Sequence, residues 1–197
     1  MLSKITLPAA LAASLAFGSL PATAAMQPQE TPGDLSAFRT AKVSMEQAVR
    51  TVQLETGGIV TSVTFHATPV VGPKPPYAAA AVDGVAEGYL VTFIAAGAMN
   101  LCYVDPQTGR ASQINAVGTA DYNPLGISQA DSLALDHTPD ALPQAIALAE
   151  QRTGGRAIDT VWERHDGALG YRVGVVRNGT ISNEWVNPGS GQVASVR

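Results

Sequence analysis

The chain carries the same pattern of a helix followed by short strands twice, and this internal duplication restricts its fold more than any other feature. Apolar residues recur three, four and seven positions apart in two segments that lie 97 residues apart: Met45, Ala48, Val49 and Val52, then Leu142, Ala145, Ile146 and Ala149. This spacing predicts two amphipathic helices, each burying one face. Both should end at a Thr-Gly-Gly sequence, residues 56–58 and 153–155, because glycine readily adopts the left-handed conformation of a helix end.

The residues before each predicted helix also fit a helix start. Ser44 and Gln47 have the spacing of a capping box, in which each side chain accepts a hydrogen bond from the backbone N–H of the other residue. Asp140 is the expected cap of the second helix. Pro143 falls in the first turn of that helix, where no intrahelical hydrogen bond is lost. Both segments therefore have start and stop signals for a helix.

Four short strands are expected after each helix. Residues 89–93 correspond to 171–175 at an interval of 82 residues, and the turn sequences 105–109 and 187–191 keep the same interval. The change from 97 to 82 residues indicates a 15-residue insertion in the first repeat, within the Pro-, Ala- and Gly-rich residues 67–88. Because short turns join antiparallel strands, each repeat is predicted to pack one helix on a four-stranded antiparallel sheet, an α+β arrangement.

The N-terminal residues have the features of an export signal. Lys4 precedes an apolar stretch, and Ala22-Thr23-Ala24 supplies the small-x-small pattern of a signal-peptidase site, so cleavage is expected between Ala24 and Ala25. The apolar stretch is short for a membrane span, and no cysteine follows it to carry a lipid anchor. We therefore expect a periplasmic or secreted bacterial protein whose mature form has no membrane span.

These boundaries divide the chain into five segments. In order they are a signal peptide, a flexible lead-in, the first repeat with its insertion, a linker and the second repeat: residues 1–24, 25–43, 44–117 with the insertion at 67–88, 118–140 and 141–197. The second repeat is close to the lower size limit for an independent core. The two repeats are therefore expected to support each other or to pack loosely.

Charge and cysteine content exclude several classes of function. The formal net charge is −4, so sequence-independent binding of nucleic acid is not expected. The one cysteine, Cys102, rules out an internal disulfide framework and a cysteine-based zinc site. Cys102 corresponds to Glu184 of the second repeat, so it is not expected in the deep core. An inert, partly buried thiol is favoured over a disulfide-linked dimer.

Several of these residues resemble the PepSY domain family, which occurs in propeptides of secreted metallopeptidases and in bacterial envelope proteins. The resemblance rests on residues 46–49 with the helix end 56–58, on residues 103–110, and on their counterparts in the second repeat. Asn187 stands where the family usually has Asp, which removes a charge but keeps a side-chain-capped turn. The resemblance implies two cystatin-like repeats and a role in binding or inhibiting proteins. It supplies no catalytic residues, and no cofactor is expected.

Sequence patterns of the common catalytic sites are absent. No H-E-x-x-H, G-x-S-x-G, P-loop or G-x-G-x-x-G pattern occurs, so enzyme activity is not expected. His66 and His165 fall near hairpin tips and, with Asp166, are weak candidates for a shared metal site, although exposed loop histidines are the favoured interpretation. Five arginines concentrate in the second repeat and are interpreted as solvated strand edges, with an anionic ligand as the alternative: Arg152, Arg156, Arg164, Arg172 and Arg177.

The favoured function is to bind and modulate, for example inhibit, an envelope or secreted protein such as a peptidase or cell-wall hydrolase. The expected route is strand addition at a sheet edge or docking of a hairpin tip. The insertion is the best candidate for such a tip because it has no role in the core. The candidate contact residues are Pro73, Lys74, Pro75, Pro76 and Tyr77 in the insertion, and Trp185 on a strand. A periplasmic ligand or metal sensor is the alternative function.

Overall fold

The computed structural model describes residues 35–66, 87–119, 138 and 140–196. Three sequence predictions lie outside these ranges: the signal peptide with its cleavage site between Ala24 and Ala25, the insertion residues 67–86 with the candidate contact residues 73–77, and most of the linker. The account below concerns the described residues.

The described residues form three helices: α1 Leu35–Thr40, α2 Met45–Thr56 and α3 Ala141–Thr153. The predicted capping box at the start of α2 is confirmed, since Ser44 and Gln47 each accept a hydrogen bond from the backbone N–H of the other. The predicted helix ends are confirmed as well. Gly57 and Gly154 follow α2 and α3 with φ of 64° and 68°, in the left-handed region.

The prediction that the Asp140 side chain caps α3 is wrong. Asp140 is the residue before the helix, but its carboxylate accepts no capping hydrogen bond. A capping side chain usually bonds to the N–H of the second or third helical residue, and the third residue here is Pro143, which has no N–H. The Asp140 carboxylate instead accepts a hydrogen bond from Arg50 at 3.2 Å, which links α2 to the start of α3.

Eight strands form one continuous antiparallel sheet in the order β4-β3-β2-β1-β5-β6-β7-β8. The strands are β1 Ile59–His66, β2 Gly88–Ala95, β3 Ala98–Val104, β4 Ala111–Thr119, β5 Arg156–His165, β6 Ala168–Arg177, β7 Thr180–Asn187 and β8 Gln192–Val196. The mixture of a few helices with an antiparallel sheet agrees with the predicted fold class. Two separate four-stranded sheets are not present.

The sheet is continuous because the first strand of one half pairs with the first strand of the other. β1 and β5 run antiparallel, with Val63 opposite Thr160. Each half alone would leave the N–H and C=O groups of this strand without partners at an edge, and pairing satisfies them. Each half of the chain contributes four consecutive strands, β1 to β4 on one side of this junction and β5 to β8 on the other.

Matching contacts occur in the two halves at positions that correspond in the sequence. At the last residue of α2 and of α3, a threonine hydroxyl donates to a carbonyl oxygen four residues earlier and accepts from the N–H of the second glycine: Thr56 with Val52 and Gly58, and Thr153 with Ala149 and Gly155. The following strand is then interrupted by an irregularity, between Val60 and Ser62 in β1 and between Ala157 and Asp159 in β5. The β2–β3 and β6–β7 turns each have two successive residues with positive φ: Ala96 and Gly97, and Asn178 and Gly179.

The core lies between the helices and one face of the sheet. Both predicted apolar stripes are buried there, the first on α2 and the second on α3. On the sheet, Phe65 meets Tyr89 and Trp162 meets Tyr171 in edge-to-face pairs, with ring centroids 5.1 and 4.5 Å apart. These four aromatic side chains are buried, which confirms the prediction that most strand aromatics pack beneath the helices.

The expectation of a flexible lead-in is wrong for residues 35–43. Phe38 of α1 is 2% exposed and packs edge-to-face on Phe65, at 5.2 Å between ring centroids. Arg156 of β5 stands 4.9 Å above the Phe38 ring and donates hydrogen bonds to the carbonyl oxygens of Phe38 and Ala41. Leu35 and Phe38 lie three residues apart, the spacing of one apolar helical face, and this signal is too short to predict a helix.

Candidate functional site

The sheet ends in β8, whose outer edge has no strand partner among the described residues. Arg152, in the last turn of α3, donates a hydrogen bond to the Val193 carbonyl oxygen at 2.7 Å, so this carbonyl faces away from β7. In an antiparallel strand, the N–H and C=O of one residue point the same way, and alternate residues share that direction. The backbone polar groups of Val193 and Ser195 therefore line an edge at which another strand can be added.

A buried carboxylate lies beside this edge. Glu184 of β7 is 4% exposed, and its carboxylate is 3.3 Å from Nε of Arg152. The hydroxyl of Ser195 donates to the same carboxylate at 3.1 Å. The guanidinium offsets the charge that would otherwise make this burial unfavourable. Arg152 thus ties α3 to both β7 and β8 at the end of the sheet.

The prediction that Cys102 lies outside the deep core is wrong. Cys102 is 2% exposed within the core cluster, at the position that corresponds to Glu184. The two positions are equally buried, and glutamate is tolerated in one half because Arg152 neutralises it. The thiol donates to the Ser112 carbonyl oxygen at 3.3 Å, and burial raises the pKa of Cys102 to about 11. A buried, protonated thiol is a poor nucleophile, so a disulfide-linked dimer would require the strand to open.

Arg172 is the centre of a polar cluster on the sheet face opposite the helices. Its guanidinium lies 3.3 Å from the Asp159 carboxylate and 3.4 Å from the Glu163 carboxylate, and it donates to Asn183 Oδ1 at 3.2 Å. A Cβ at Gly174 would come within 2.8 Å of the Asp159 carboxylate, so the glycine makes room for it. The cluster braces β5, β6 and β7 against one another.

Trp185 lies on the same face but is 2% exposed, so it does not present an exposed binding surface as the sequence suggested. Its indole lies over Gly170, where an added Cβ would be 2.7 Å from Trp185 Cε2. The ring also packs beside His165, with centroids 5.3 Å apart. Nε1 of Trp185 is buried and has no hydrogen-bond partner among the described residues. The side chain therefore fills the space above a glycine in the sheet.

The two candidate metal-binding histidines are far apart. His66 ends β1 and His165 ends β5, and these strands are antiparallel with Val63 opposite Thr160. This register separates the two histidines by roughly 25 Å along the strands at the usual rise per residue. His165 lies 3.6 Å from the Asp166 carboxylate. One metal ion cannot bind two side chains that lie so far apart, so the two histidines do not share a metal site. Within the described ranges, no group of three or more His, Cys, Asp or Glu side chains could hold a metal ion.

The turn at residues 105–109 and its counterpart at residues 187–191 are both built by side-chain hydrogen bonds. The carboxylate of Asp105 accepts from the N–H groups of Gln107 and Thr108 at 2.8 Å, and these bonds lower the pKa of Asp105. Asn187 keeps the turn without the charge, since its Oδ1 accepts from the N–H of Ser190 at 3.1 Å. The substitution of Asn for Asp therefore preserves the local structure, as predicted.

Three of the five arginines from the sequence analysis, Arg152, Arg156 and Arg177, lie around the β6–β7 turn, where Arg39 of α1 joins them. Arg172 belongs to the polar cluster described above, and Arg164 donates to the Gly167 carbonyl oxygen. Sequence reasoning missed Arg39 because it assigned this residue to a flexible lead-in. The spacing of Phe38 and Leu35 on α1 is the only local signal for its placement.

Comparison with known proteins identifies one family within the chain. Residues 141–197 match the family model of PepSY, the peptidase propeptide and YPEB domain. PepSY domains are generally non-catalytic propeptide or regulatory modules, and the match is consistent with an extracellular or envelope protein. No curated protein is significantly similar to the sequence.

One solved structure resembles the chain at low similarity. It is described as a lipoprotein from Clostridium difficile 630, with 11% sequence identity, a TM-score of 0.42, and coverage of 78% of this chain and 91% of that chain. A similarity at this level carries no conclusion about fold or activity. Within the described ranges, no helix combines the length and the apolar character that crossing a bilayer requires.

Proposed function

We propose that the protein is an exported, non-enzymatic binding protein that modulates an envelope or secreted protein, with a peptidase or cell-wall hydrolase as the expected target. The match of residues 141–197 to a peptidase-propeptide family supports this function, because propeptides bind peptidases. The signal-peptide pattern of residues 1–24 supports export. The expected action is inhibition by occupation of a surface of the target.

The proposal extends to the first half of the chain. Residues 44–117 are a second, diverged unit of the same kind, although the family model covers residues 141–197 alone. The matching helix ends, strand irregularities and hairpin turns of the two halves support this assignment. The pairing of β1 with β5 would then join two such units into one sheet, with the last strand of each unit at an outer edge.

The β8 edge is the observation that carries the proposed mode of binding. The outward N–H groups of Val193 and Ser195 and the Ser195 carbonyl oxygen can form ladder hydrogen bonds with an extended segment of the target. The Val193 carbonyl oxygen already accepts from Arg152. β8 is only five residues long, so such an interaction would involve a short segment. The proline-rich insertion, residues 67–88, remains the second candidate contact, on the sequence argument alone.

The test uses tagged residues 25–197 as bait for envelope and culture-medium extracts, followed by mass spectrometry. A retained peptidase or wall hydrolase is then purified, and its inhibition by the protein is measured. Ser195→Pro removes the outward N–H without breaking the β7–β8 ladder, and proline is tolerated at such edge positions. Ser195→Ala is the matched control, because both variants lose the hydroxyl that bonds to Glu184.

Loss of inhibition in Ser195→Pro with inhibition kept in Ser195→Ala would support strand addition at β8. Equal inhibition by both variants, together with loss on deletion of residues 68–87, would assign the contact to the insertion instead. Failure of the wild-type protein to retain or inhibit any peptidase or hydrolase would overturn the proposed function. Circular dichroism of each variant shows whether it is folded.

A further inference from the structure

Two adjoining clefts, of about 490 and 520 Å³, flank the β6–β7 turn and share Asn178. Arg39 and Arg156 line the first cleft, and Arg152 and Arg177 line the second. Arg39 of the first half therefore shares one cleft with Arg156, and Arg152 and Arg177 line the cleft beside it. We propose that this arginine cluster binds the phosphate group of a small ligand or of a lipid headgroup.

The charge around the clefts is opposite to that of the protein as a whole. The chain has a formal net charge of −4. Of the nine basic side chains in the described residues, four line the two clefts. Of the ten acidic side chains in those residues, Glu184 alone lines a cleft. Glu184 is already paired with Arg152. The cluster therefore carries a local positive excess, and its guanidinium donors suit the several oxygen atoms of a phosphate group.

The first half of the chain forms the corresponding elements without these charges. The positions that correspond to Arg152, Arg156 and Arg177 are occupied there by an acidic or an apolar residue: Glu55, Ile59 and Ala95. The helix end, the first strand and the hairpin turn nevertheless form in the same way in that half. In the second half, Arg152 also pairs with the buried Glu184 carboxylate, whereas the hydrogen bonds of Arg156 and Arg177 go to backbone carbonyl oxygens and leave other N–H donors for an anion.

The arginines that line the clefts have N–H donors that no other group uses. Arg156 uses two of its nitrogens on the carbonyl oxygens at the end of α1, and Arg177 uses one on the Thr153 carbonyl oxygen at 2.8 Å. Arg39 has no hydrogen-bond or ion-pair partner in the part of the chain that the structure describes. A Cβ at Gly179 would be 3.3 Å from Nη2 of Arg39, so this guanidinium lies directly against the β6–β7 turn. Guanidinium groups bind phosphate oxygens through paired N–H donors.

The test is a calorimetric titration of the intact mature protein with inorganic phosphate at constant ionic strength, with acetate and chloride as comparison anions. Arg39→Gln removes a donor that holds no other group and is expected to weaken phosphate binding about tenfold. Arg110→Gln is the matched control, because the Arg110 side chain is also exposed and has no partner among the described residues, but it lines neither cleft. That control should bind phosphate as the wild type does.

A second arm identifies the source of the phosphate group. Sedimentation with phosphatidylglycerol vesicles, compared with phosphatidylcholine vesicles, tests a lipid headgroup. Saturable phosphate binding that is weakened by Arg39→Gln alone supports the site, and vesicle binding with the same dependence assigns it to a lipid. Absence of saturable binding in both arms, equal affinity for acetate, or equal loss in Arg39→Gln and Arg110→Gln would overturn the proposal.

Discussion

Val63 of β1 and Thr160 of β5 face each other across the ladder that joins the two halves of the sheet. They are 97 residues apart, the same interval that separates the apolar stripes of α2 and α3. Because the two strands are antiparallel, this pair marks a local twofold relationship between the halves. At the 97-residue interval, Ser62 corresponds to Asp159 and Thr64 corresponds to Val161. The twofold relationship therefore places Ser62 opposite Val161 and Thr64 opposite Asp159, as observed.

Replacing Thr160 by valine should stabilise the protein. Thr160 Oγ1 is buried and has no hydrogen-bond partner among the described residues, and the facing residue of the other half is already valine. Thr160→Val keeps the shape while removing an unsatisfied hydroxyl, so the free energy of unfolding should rise by about 1 kcal/mol. Chemical denaturation measures it. The reverse change, Val63→Thr, should destabilise, and equal effects of the two substitutions would contradict this account.

Truncating Phe38 should be severely destabilising, although the sequence places it in a polar lead-in. Phe38 packs on Phe65 and beneath Arg156. Phe38→Ala should lower the free energy of unfolding by about 3 to 5 kcal/mol, the usual range for a buried phenylalanine. Leu54→Ala is the control, because Leu54 is 87% exposed and its truncation should change little. Similar midpoints of denaturation for Phe38→Ala and the wild type would mean that α1 does not dock.

The local elements could be predicted from the sequence because each has a local cause. The stripe from Met45 to Val52 and the glycines after each helix act within a few residues, and they specified α2 and α3 correctly. The pairing of β1 with β5 could not be predicted in this way. Its register depends on strand edges about 97 residues apart in the chain, and nothing near Val63 or Thr160 distinguishes an edge from an interior strand.

Adding a methyl group at Gly155 should be more disruptive than at a glycine of a turn. A Cβ there would lie 2.5 Å from the Val176 carbonyl oxygen and 2.6 Å from Val175 Cγ1. Gly155→Ala should therefore lower the free energy of unfolding by roughly 2 to 3 kcal/mol through overpacking. At Gly191, with φ of 70° and no atom within 4 Å of an added Cβ, alanine should cost only about 1 kcal/mol of backbone strain. Thermal and chemical denaturation of both variants check this order.

The free energy of unfolding should fall as the solution becomes alkaline. Burial raises the pKa of Cys102 from 9.0 to about 11 and that of Tyr89 from 10.0 to about 12. Above about pH 9 the unfolded chain therefore loses protons that the native protein keeps, so deprotonation favours unfolding until the native groups also titrate. Each group accounts for at most about 2 to 3 kcal/mol. Denaturation curves recorded across this range measure the slope.

Cys102→Ala separates the contribution of the thiol to this pH dependence. The variant should retain the tyrosine part of the slope and lose the part that begins near pH 9. The native thiol should react with a disulfide reagent far more slowly than the thiol of the unfolded chain, because the reactive form is the thiolate. Equal rates in native and denaturing buffer would show that Cys102 is not buried in solution.

The arginine cluster could be predicted only in part from the sequence, because its side chains come from different helices and strands. The arginines of the second half stood out by composition, but nothing in the sequence indicated that Arg39 lies beside Asn178 and Gly179. The correspondence of Cys102 with Glu184 led to the wrong prediction that Cys102 lies outside the deep core, for the same reason. A buried glutamate is allowed there by Arg152, which lies 32 residues earlier in the chain. Such compensation between distant residues is visible only once the elements are packed.

Arg152→Leu should destabilise the protein and expose its sheet edge. The substitution leaves the buried Glu184 carboxylate without its guanidinium, and the half-exposed position of Arg152 limits the loss to roughly 2 to 3 kcal/mol. It also frees the Val193 carbonyl oxygen, which an unprotected edge strand can use to associate with another chain. Denaturation and light scattering measure the two effects.

Combining Arg152→Leu with Glu184→Gln distinguishes the two consequences of losing Arg152. The neutral amide can still accept the Ser195 hydroxyl, so the double variant should recover part of the stability that the single variant loses. Its Val193 carbonyl stays uncovered, and its self-association should therefore remain above that of the wild type. A double variant no more stable than Arg152→Leu would mean that the unpaired carboxylate is not the cause of the instability. Wild-type-like association of both variants would mean that Arg152 does not protect the β8 edge.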